Sequence, residues 1–366
     1  MGKHGSTLAD VARVAGVSRS TASNAYNRPD QLSAAVRTRV LEAAASLGYA
    51  GPDPLARQLR TRRSGTVGVL VLERPGYAFS DPAAQLFLDG IAEGLGADTA
   101  GLLLLWGTAE NGGPPVAAVR AAAVDGFVSY CLPGDTPALD VVVQRGVPLV
   151  TVDGTVNRGE ACVEVANHSG QAAVVRHLLG LGHRRLAVVS MPLRADGFFG
   201  LADRARLTTV TDPSSRDRLA AVRDEVARAG LDPDAVPVAV ARSSHPTDGH
   251  ELAAMLLARH PRPTAIIALS DRLALGCIQA VRAAGLRVPE DVSVTGFDAI
   301  PEAYEAEPPL TTVAQDHGLK GRQAGQLIRE MLDGLPARHA QVRTELVVGG
   351  STGPPPPATA TGSAAG

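Results

Sequence analysis

The chain has 366 residues, 45% hydrophobic and 20% charged, enough for a small module joined to one or two larger folded lobes. No apolar run approaches the roughly 20 residues needed to span a bilayer, and Met1 to Ser6 lacks the apolar core of a signal peptide, so we expect a cytoplasmic protein without a membrane partner. Net charge is −2, yet ten basic residues against four acidic ones give +6 up to Arg63, and 25 against 33 give −8 beyond it; a basic head on an acidic body points to a polyanionic partner.

Residues 1–50 are expected to form a helix-turn-helix domain of three short helices. Thr7 and Asp10 make a capping box before Leu8, Val11, Ala12 and Ala15, and Gly16 allows a tight turn. Ser18 caps a second helix with apolar Ala22, Ala25 and Tyr26. Ser33 caps a third, in which Val36, Val40, Ala43, Ala44 and Leu47 recur at helical spacing until Gly48 ends it. Residues 51–65 then read as a basic hinge, with a short helix from Asp53 to Arg60.

From residue 66, β-type runs alternate with helical segments. The runs are 66–73, 101–107, 126–131 and 149–154, followed by 184–190, 237–242, 265–270 and 292–298. Continuous apolar strands separated by helices make an α/β body of parallel sheets covered on both faces, and two series make two lobes. Ligands of such sheets bind at the carboxyl ends of the strands. The tail 351–366, of Pro, Ala, Thr, Ser and Gly, is expected to be disordered. Cys131, Cys162 and Cys277 are isolated and without CxxC spacing; they read as packing residues, and we expect no disulfide, metal or cofactor.

A helix, a glycine turn and a second helix present that second helix to the major groove, its first turn towards the bases. Here the first turn holds Arg19, Ser20 and Thr21. Arginine can address guanine O6 and N7 bidentately, and Asn24, one turn on, can pair with adenine or a phosphate.

Seven motifs in one order then carry a family likeness. TLADVARVAGVSRSTASNAYN (7–27), LSAAVRTRVLEAAASLGY (32–49) and PDPLARQL (52–59) resemble the head and hinge of the lactose-repressor (LacI) family. LGHRRLAVVS (181–190), PTAIIALSDRLALG (263–276), GLRVPEDVSVTGFD (285–298) and PPLTTVAQD (308–316) extend the resemblance along about residues 7–350. It implies a sequence-specific transcriptional repressor, homodimeric on double-stranded operator DNA, its affinity modulated by a small-molecule effector such as a sugar.

By the same resemblance, Arg19, Ser20 and Asn24 take base-reading positions, and Thr7, Ser18 and Ser23 match positions that touch phosphates. Leu55 and Leu59 match hinge positions that meet the partner hinge, with Leu59 wedged into the minor groove. The body should be like a periplasmic sugar-binding protein, its lobes built from about 66–165 with 300–335 and from 166–299 with 336–350. Asp153, Arg218 and Asp298 match ligand-contacting positions. Ser270 stands where many members place Asn, and Ser244 and His245 stand where aromatics are often found; Phe79, in the loop after the first strand, is the remaining aromatic candidate for stacking on a sugar.

An enzyme reading finds no support, since the chain has no GxxxxGK phosphate loop, GxSxG elbow, HExxH pair or GxGxxG after a strand. A transport binding protein would share the body but carry a signal peptide and no basic head.

Overall fold

The computed structural model describes residues 6–51, 63–72, 76, 80–96, 101–107, 113–155 and 160–357, and divides the chain between Ser64 and Gly65 into two compact units. The expected hinge helix with Leu55 and Leu59, and the candidate Phe79, lie outside the described residues.

In the first unit, α1 (Leu8–Ala15), α2 (Arg19–Asn27) and α3 (Ala34–Ser46) start where the caps predict. Thr7 Oγ1 accepts from the Asp10 N–H at 3.3 Å while the Asp10 carboxylate accepts from the Thr7 N–H at 3.0 Å. Those bonds from Thr7, followed by the Arg13 guanidinium, hold the Asp10 carboxyl down at about 2. Gly16 turns the chain with φ +61°, a left-handed conformation that glycine adopts without a Cβ penalty. The core is thin: Val11, Ala12, Ala15, Ala22, Ala25, Val40, Ala43 and Ala44 are its buried apolar residues. Alanines at the helix contacts let three short helices approach closely, and Tyr26 meets Tyr49 edge-on at 6.1 Å to close one side.

The second unit holds two open sheets and a two-stranded ribbon. The first sheet runs β12-β5-β4-β3-β1-β2, built from β1 (Thr66–Val71), β2 (Gly101–Trp106), β3 (Gly126–Tyr130), β4 (Leu149–Val152), β5 (Ala161–Val165) and β12 (His339–Val342), every neighbouring pair parallel. Helices cover it on both faces, as continuous apolar strands require. On one side, α4 (Pro82–Leu95) and α12 (His317–Leu332) bury Phe87, Ile91, Ala324 and Ile328 against Val69, Val150 and Val163. On the other, α5 (Val116–Ala121) and α6 (Pro137–Arg145) bury Val119, Leu139 and Val142 against Leu70, Phe127 and Leu149.

The second sheet runs β10-β9-β6-β8-β7, from β6 (Leu186–Ser190), β7 (Gly200–Leu201), β8 (Val238–Val240), β9 (Ala265–Ala268) and β10 (Ser293–Thr295); only β7 is antiparallel to its neighbour. It packs between α7 (Asn167–Gly180) with α8 (Pro213–Arg228) and α9 (Pro246–Leu257) with α10 (Asp271–Ala283). Each sheet strand foreseen from an apolar run is present, a few residues shorter. The strands read as nothing in advance are β5, β7, β12 and the antiparallel ribbon of β11 (Thr312–Gln315) with β13 (Thr344–Val347), all short or polar.

Three expected boundaries are corrected. Residues 300–310, which include α11 (Pro301–Glu305), do not return to the first lobe: Ile300, Ala303 and Leu310 are buried with Leu273, Val292 and Val294 of the second, and the chain leaves only at β11. Residues 336–350 do not all stay with the second lobe: β12 adds itself to β5 in parallel, pairing His339 with Cys162 and Val342 with Val165, and only from β13 onward does the chain pack again with the second, through Leu346. The tail is not loose from residue 351, since Ser351 is fully buried. Its Oγ donates to Val294 O at 2.6 Å and accepts from the Thr311 N–H at 2.8 Å, and Gly353 N–H donates to Ser293 Oγ at 3.1 Å. Composition announced disorder there, but a few backbone-matched hydrogen bonds in a dry site are enough to hold a chain end.

Among the described residues, no helix is long and apolar enough to cross a membrane.

Candidate DNA-reading helix and effector cleft

The start of α2 presents Ser18, Arg19 and Ser20 as exposed residues, with Thr21, Ser23 and Asn24 half-buried behind them. Ser18 is the cap: its Oγ accepts from the Thr21 N–H at 3.0 Å and lies 2.7 Å from Ser20 Oγ and 2.8 Å from Thr21 Oγ1. Ser23 Oγ accepts from Asn27 at 3.1 Å, one turn further on. A hydroxyl-lined turn with one exposed arginine at the positive end of a helix dipole is suited to meet phosphates and a base edge together. Thr7 stands at the start of α1, exposed and already engaged in its capping box.

In the second unit, three candidates scattered over the sequence form one connected network. Asp153 follows β4 in a left-handed conformation, φ +49°, that swings its carboxylate over the strand end. Oδ1 accepts from the Val165 N–H at 3.2 Å, and Oδ2 accepts from Lys320 Nζ at 2.7 Å. Lys320 also donates to Gln315 Oε1 at 3.0 Å, and Gln315 Nε2 donates to Asp298 Oδ1 at 2.6 Å. Asp298, after β10 at φ +123°, lies 3.7 Å from Arg218 Nη2. Arg218 donates from Nε to Asn167 Oδ1 at 2.9 Å and from Nη1 to Leu269 O at 2.5 Å, with its guanidinium 3.6 Å over the Phe297 ring. Polar groups thus run without a break from the first lobe to the second, along the carboxyl ends of β4, β9, β10 and β11.

The electrostatics follow from burial. Asp298 is pushed up to about 6, chiefly by burial, with Arg218 opposing and Asp81 adding to the rise. Burial also raises the carboxyl of Asp212, which caps α8 through the Ser215 N–H at 2.7 Å. His317, at the first residue of α12, is buried; burial, then the Lys320 charge, pulls it well below 6.5, with the backbone of Asp298 opposing.

Ser270 is buried as the cap of α10, its Oγ accepting from the Leu273 N–H at 3.4 Å. His245 likewise caps α9. The aromatic rings near the network are occupied on at least one face: Phe297 carries Arg218, and Tyr130 stacks on Phe87 at 4.1 Å with Lys320 Nζ 5.3 Å from its centroid. The links missed in the sequence are Lys320, Gln315, Asn167 and His317. A signal for Lys320 existed, since it is the only lysine after Lys3 in a chain whose other basic residues are arginines. Its depth comes from α4 and α12 lying backbone to backbone, where a Cβ on Gly90 would stand 2.2 Å from Gly318 O and one on Gly321 would stand 2.1 Å from Phe87 O.

Residues 7–51 match the model of bacterial regulatory proteins of the lacI family, and residues 175–352 match that of a periplasmic binding protein-like domain. The chain is 43% identical to the HTH-type transcriptional regulator Rv3575c of Mycobacterium tuberculosis over 352 residues, covering 95% of this chain and 97% of the relative. Among solved structures, the lac repressor dimer bound to operator and the anti-inducer ONPF aligns with TM-score 0.76 at 25% identity, covering 95% of this chain and 99% of that one. A complex of the regulator CelR with cellobiose aligns with TM-score 0.68 at 28% identity, covering 94% and 99%.

Proposed function

This chain belongs to the LacI family of bacterial transcriptional regulators, and from that premise we propose that it is a cytoplasmic, non-enzymatic repressor working as a homodimer on near-palindromic operator DNA, its hold on that DNA set by a sugar or related polyhydroxylated metabolite in the body's cleft. The observation that carries the reading is the unbroken polar network from Asp153 to Arg218, spanning two lobes of a body whose head exposes Arg19. In our reading Arg19, Ser20 and Asn24 face bases, and Thr7, Ser18, Thr21 and Ser23 hold the backbone. Asp153, Arg218 and Asp298 bind ligand hydroxyls, while Ser270 shapes the wall behind them. The lac repressor relative is a dimer on operator, and the CelR relative holds cellobiose. A dimer of this chain also has a surface to build on, because β2 is an edge strand with Leu102 and Trp106 exposed on one face. Leu55 and Leu59 are assigned to the paired hinges, where an apolar wedge opens the central base step.

A thermal-shift screen against sugars, polyols and nucleosides tests the effector half; a true ligand at 100 times its Kd adds about 2.7 kcal/mol. Panels in which nothing shifts the transition count against it. Arg218→Ala is expected to weaken the effector found in that screen by about 2 to 5 kcal/mol, since a buried, hydrogen-bonded charge is removed from the cleft. Operator affinity without effector should stay as in the wild type, and release of DNA at the wild-type effector concentration would take Arg218 out of the site. Arg19→Ala tests the head: it should relax base preference by about 1 to 3 kcal/mol at one position per half-site. Anisotropy titrations on a panel of operator variants read this, and an equal loss on every sequence would reassign Arg19 to phosphate.

A further inference from the structure

We propose that Cys162, Glu164 and His339 form a binding site for one divalent transition-metal ion, zinc above others, on the open edge of the first sheet.

The site is made by strand pairing. Cys162 and Glu164 stand two residues apart on β5 and so face the same side, and the parallel register of β12 sets His339 opposite Cys162. The Cys162 sulfur, a His339 ring nitrogen and a Glu164 carboxylate oxygen all lie within 4.8 Å of one another. A tetrahedral zinc ion with ligand bonds of 2.0 to 2.3 Å holds its donors roughly 3.5 Å apart, so closing the set takes small side-chain rotations. Glu164 and His339 are exposed and free to make them, whereas Cys162 is buried and fixes the third corner.

The donor set is selective. Thiolate, imidazole and carboxylate together favour zinc over magnesium or calcium, which take all-oxygen sites, and three protein ligands leave a fourth position to solvent. The surroundings are negative, since the charges of Glu164, Asp153 and Glu160 all bear on the Cys162 thiol. A cation placed there replaces the proton and turns the same three carboxylates from a cost into an attraction. Glu160 is itself buried, 3.4 Å from Thr151 Oγ1 on the neighbouring strand.

The position gives such an ion a mechanical consequence. β5 ends at Val165 just before α7 begins the second lobe at Asn167, and β12 ends at Val342 just before β13 begins at Thr344. A metal joining Cys162 to His339 staples two strands immediately before the chain leaves the first lobe.

The full-length protein, stripped with a chelator, would be titrated with Co²⁺ and then challenged with Zn²⁺. We expect one equivalent of cobalt with a thiolate-to-metal charge-transfer absorption, displaced by zinc. Cys162→Ser should abolish that absorption, while Glu164→Gln and His339→Ala, both on exposed side chains, should keep the fold and weaken the metal by at least about tenfold, the scale seen for losing even an outer hydrogen-bonding partner. A wild-type chain that shows no such absorption, a Cys162→Ser variant that keeps it, or a His339→Ala variant that binds as tightly as wild type each overturns the site.

Discussion

Lys320→Met should destabilise the effector-free body by about 3 to 5 kcal/mol, the range for removing one partner of a buried ion pair. The Lys320 side chain is 2% exposed and that of its partner Asp153 is 4% exposed, so neither charge has water to fall back on. With the ammonium gone, Asp153 Oδ2 loses its 2.7 Å donor and keeps only the Val165 N–H on its other oxygen, while Gln315 Oε1 loses its donor at 3.0 Å. Methionine matches the length and apolar stem of lysine, so packing against α4 persists and the loss is electrostatic. The double variant Lys320→Met with Asp153→Asn should recover most of the stability, because replacing both charges removes the desolvation cost along with the attraction. Urea unfolding of the four proteins yields the coupling energy of the pair. If the single variant unfolds at the wild-type midpoint, Lys320 is not the counter-charge of Asp153 and the network breaks at its first link.

The legibility of this chain in its sequence varied with the physical range of each signal. Caps and turns are local, so Thr7, Ser18, Ser33 and Gly16 could be read directly, and the structure places all four where spacing put them. Apolar runs announced eight strands, because a strand buried on both faces must be apolar throughout. β12 escaped, since HAQV at a sheet edge has no such run, and with it went the last lobe boundary. The cleft was half legible: strand-end carboxylates and the Arg218 fork matched a family pattern, whereas Lys320 lies on a helix whose depth is set by the glycines at 90 and 321, a contact between distant segments. The Cys162, Glu164 and His339 cluster was beyond reach for the same reason, as its ligands meet only through the register of β5 with β12.

Asp271→Asn should stabilise the protein at pH 8 while leaving it close to wild type near pH 4. Asp271 is fully buried at the first turn of α10. Its Oδ1 accepts from the Thr312 hydroxyl at 2.5 Å and its Oδ2 from the Ile300 N–H at 3.0 Å, and no cation pairs with it among the described residues. Burial first, and then the charge of Asp298, raise it to about 7, against the opposing hydrogen bonds from Thr312 and Ile300. The folded protein therefore holds a proton that the unfolded chain releases near its ordinary value of 3.8. Where the folded state binds more protons, stability falls as pH rises. The contribution is whole below about pH 4 and is lost by about pH 7, amounting to something on the order of 4 kcal/mol at 1.36 kcal/mol per unit. Asp298, raised as well, titrates with it as a pair. His183 and His317 act in the opposite sense: each is held below its ordinary value, so they add stability as pH rises towards 6.5. The wild-type curve alone mixes these effects, but the difference between wild type and Asp271→Asn cancels the histidines and reads the Asp271 carboxyl together with its coupling to Asp298. Asparagine keeps both contacts, its carbonyl accepting from Ile300 and its amide donating to Thr312 Oγ1. Denaturant midpoints at pH 5, 6, 7 and 8 should thus show the variant pulling ahead as pH rises. A difference that stays constant across that range would mean Asp271 is already ionised in the fold, held by its two hydrogen bonds against the burial.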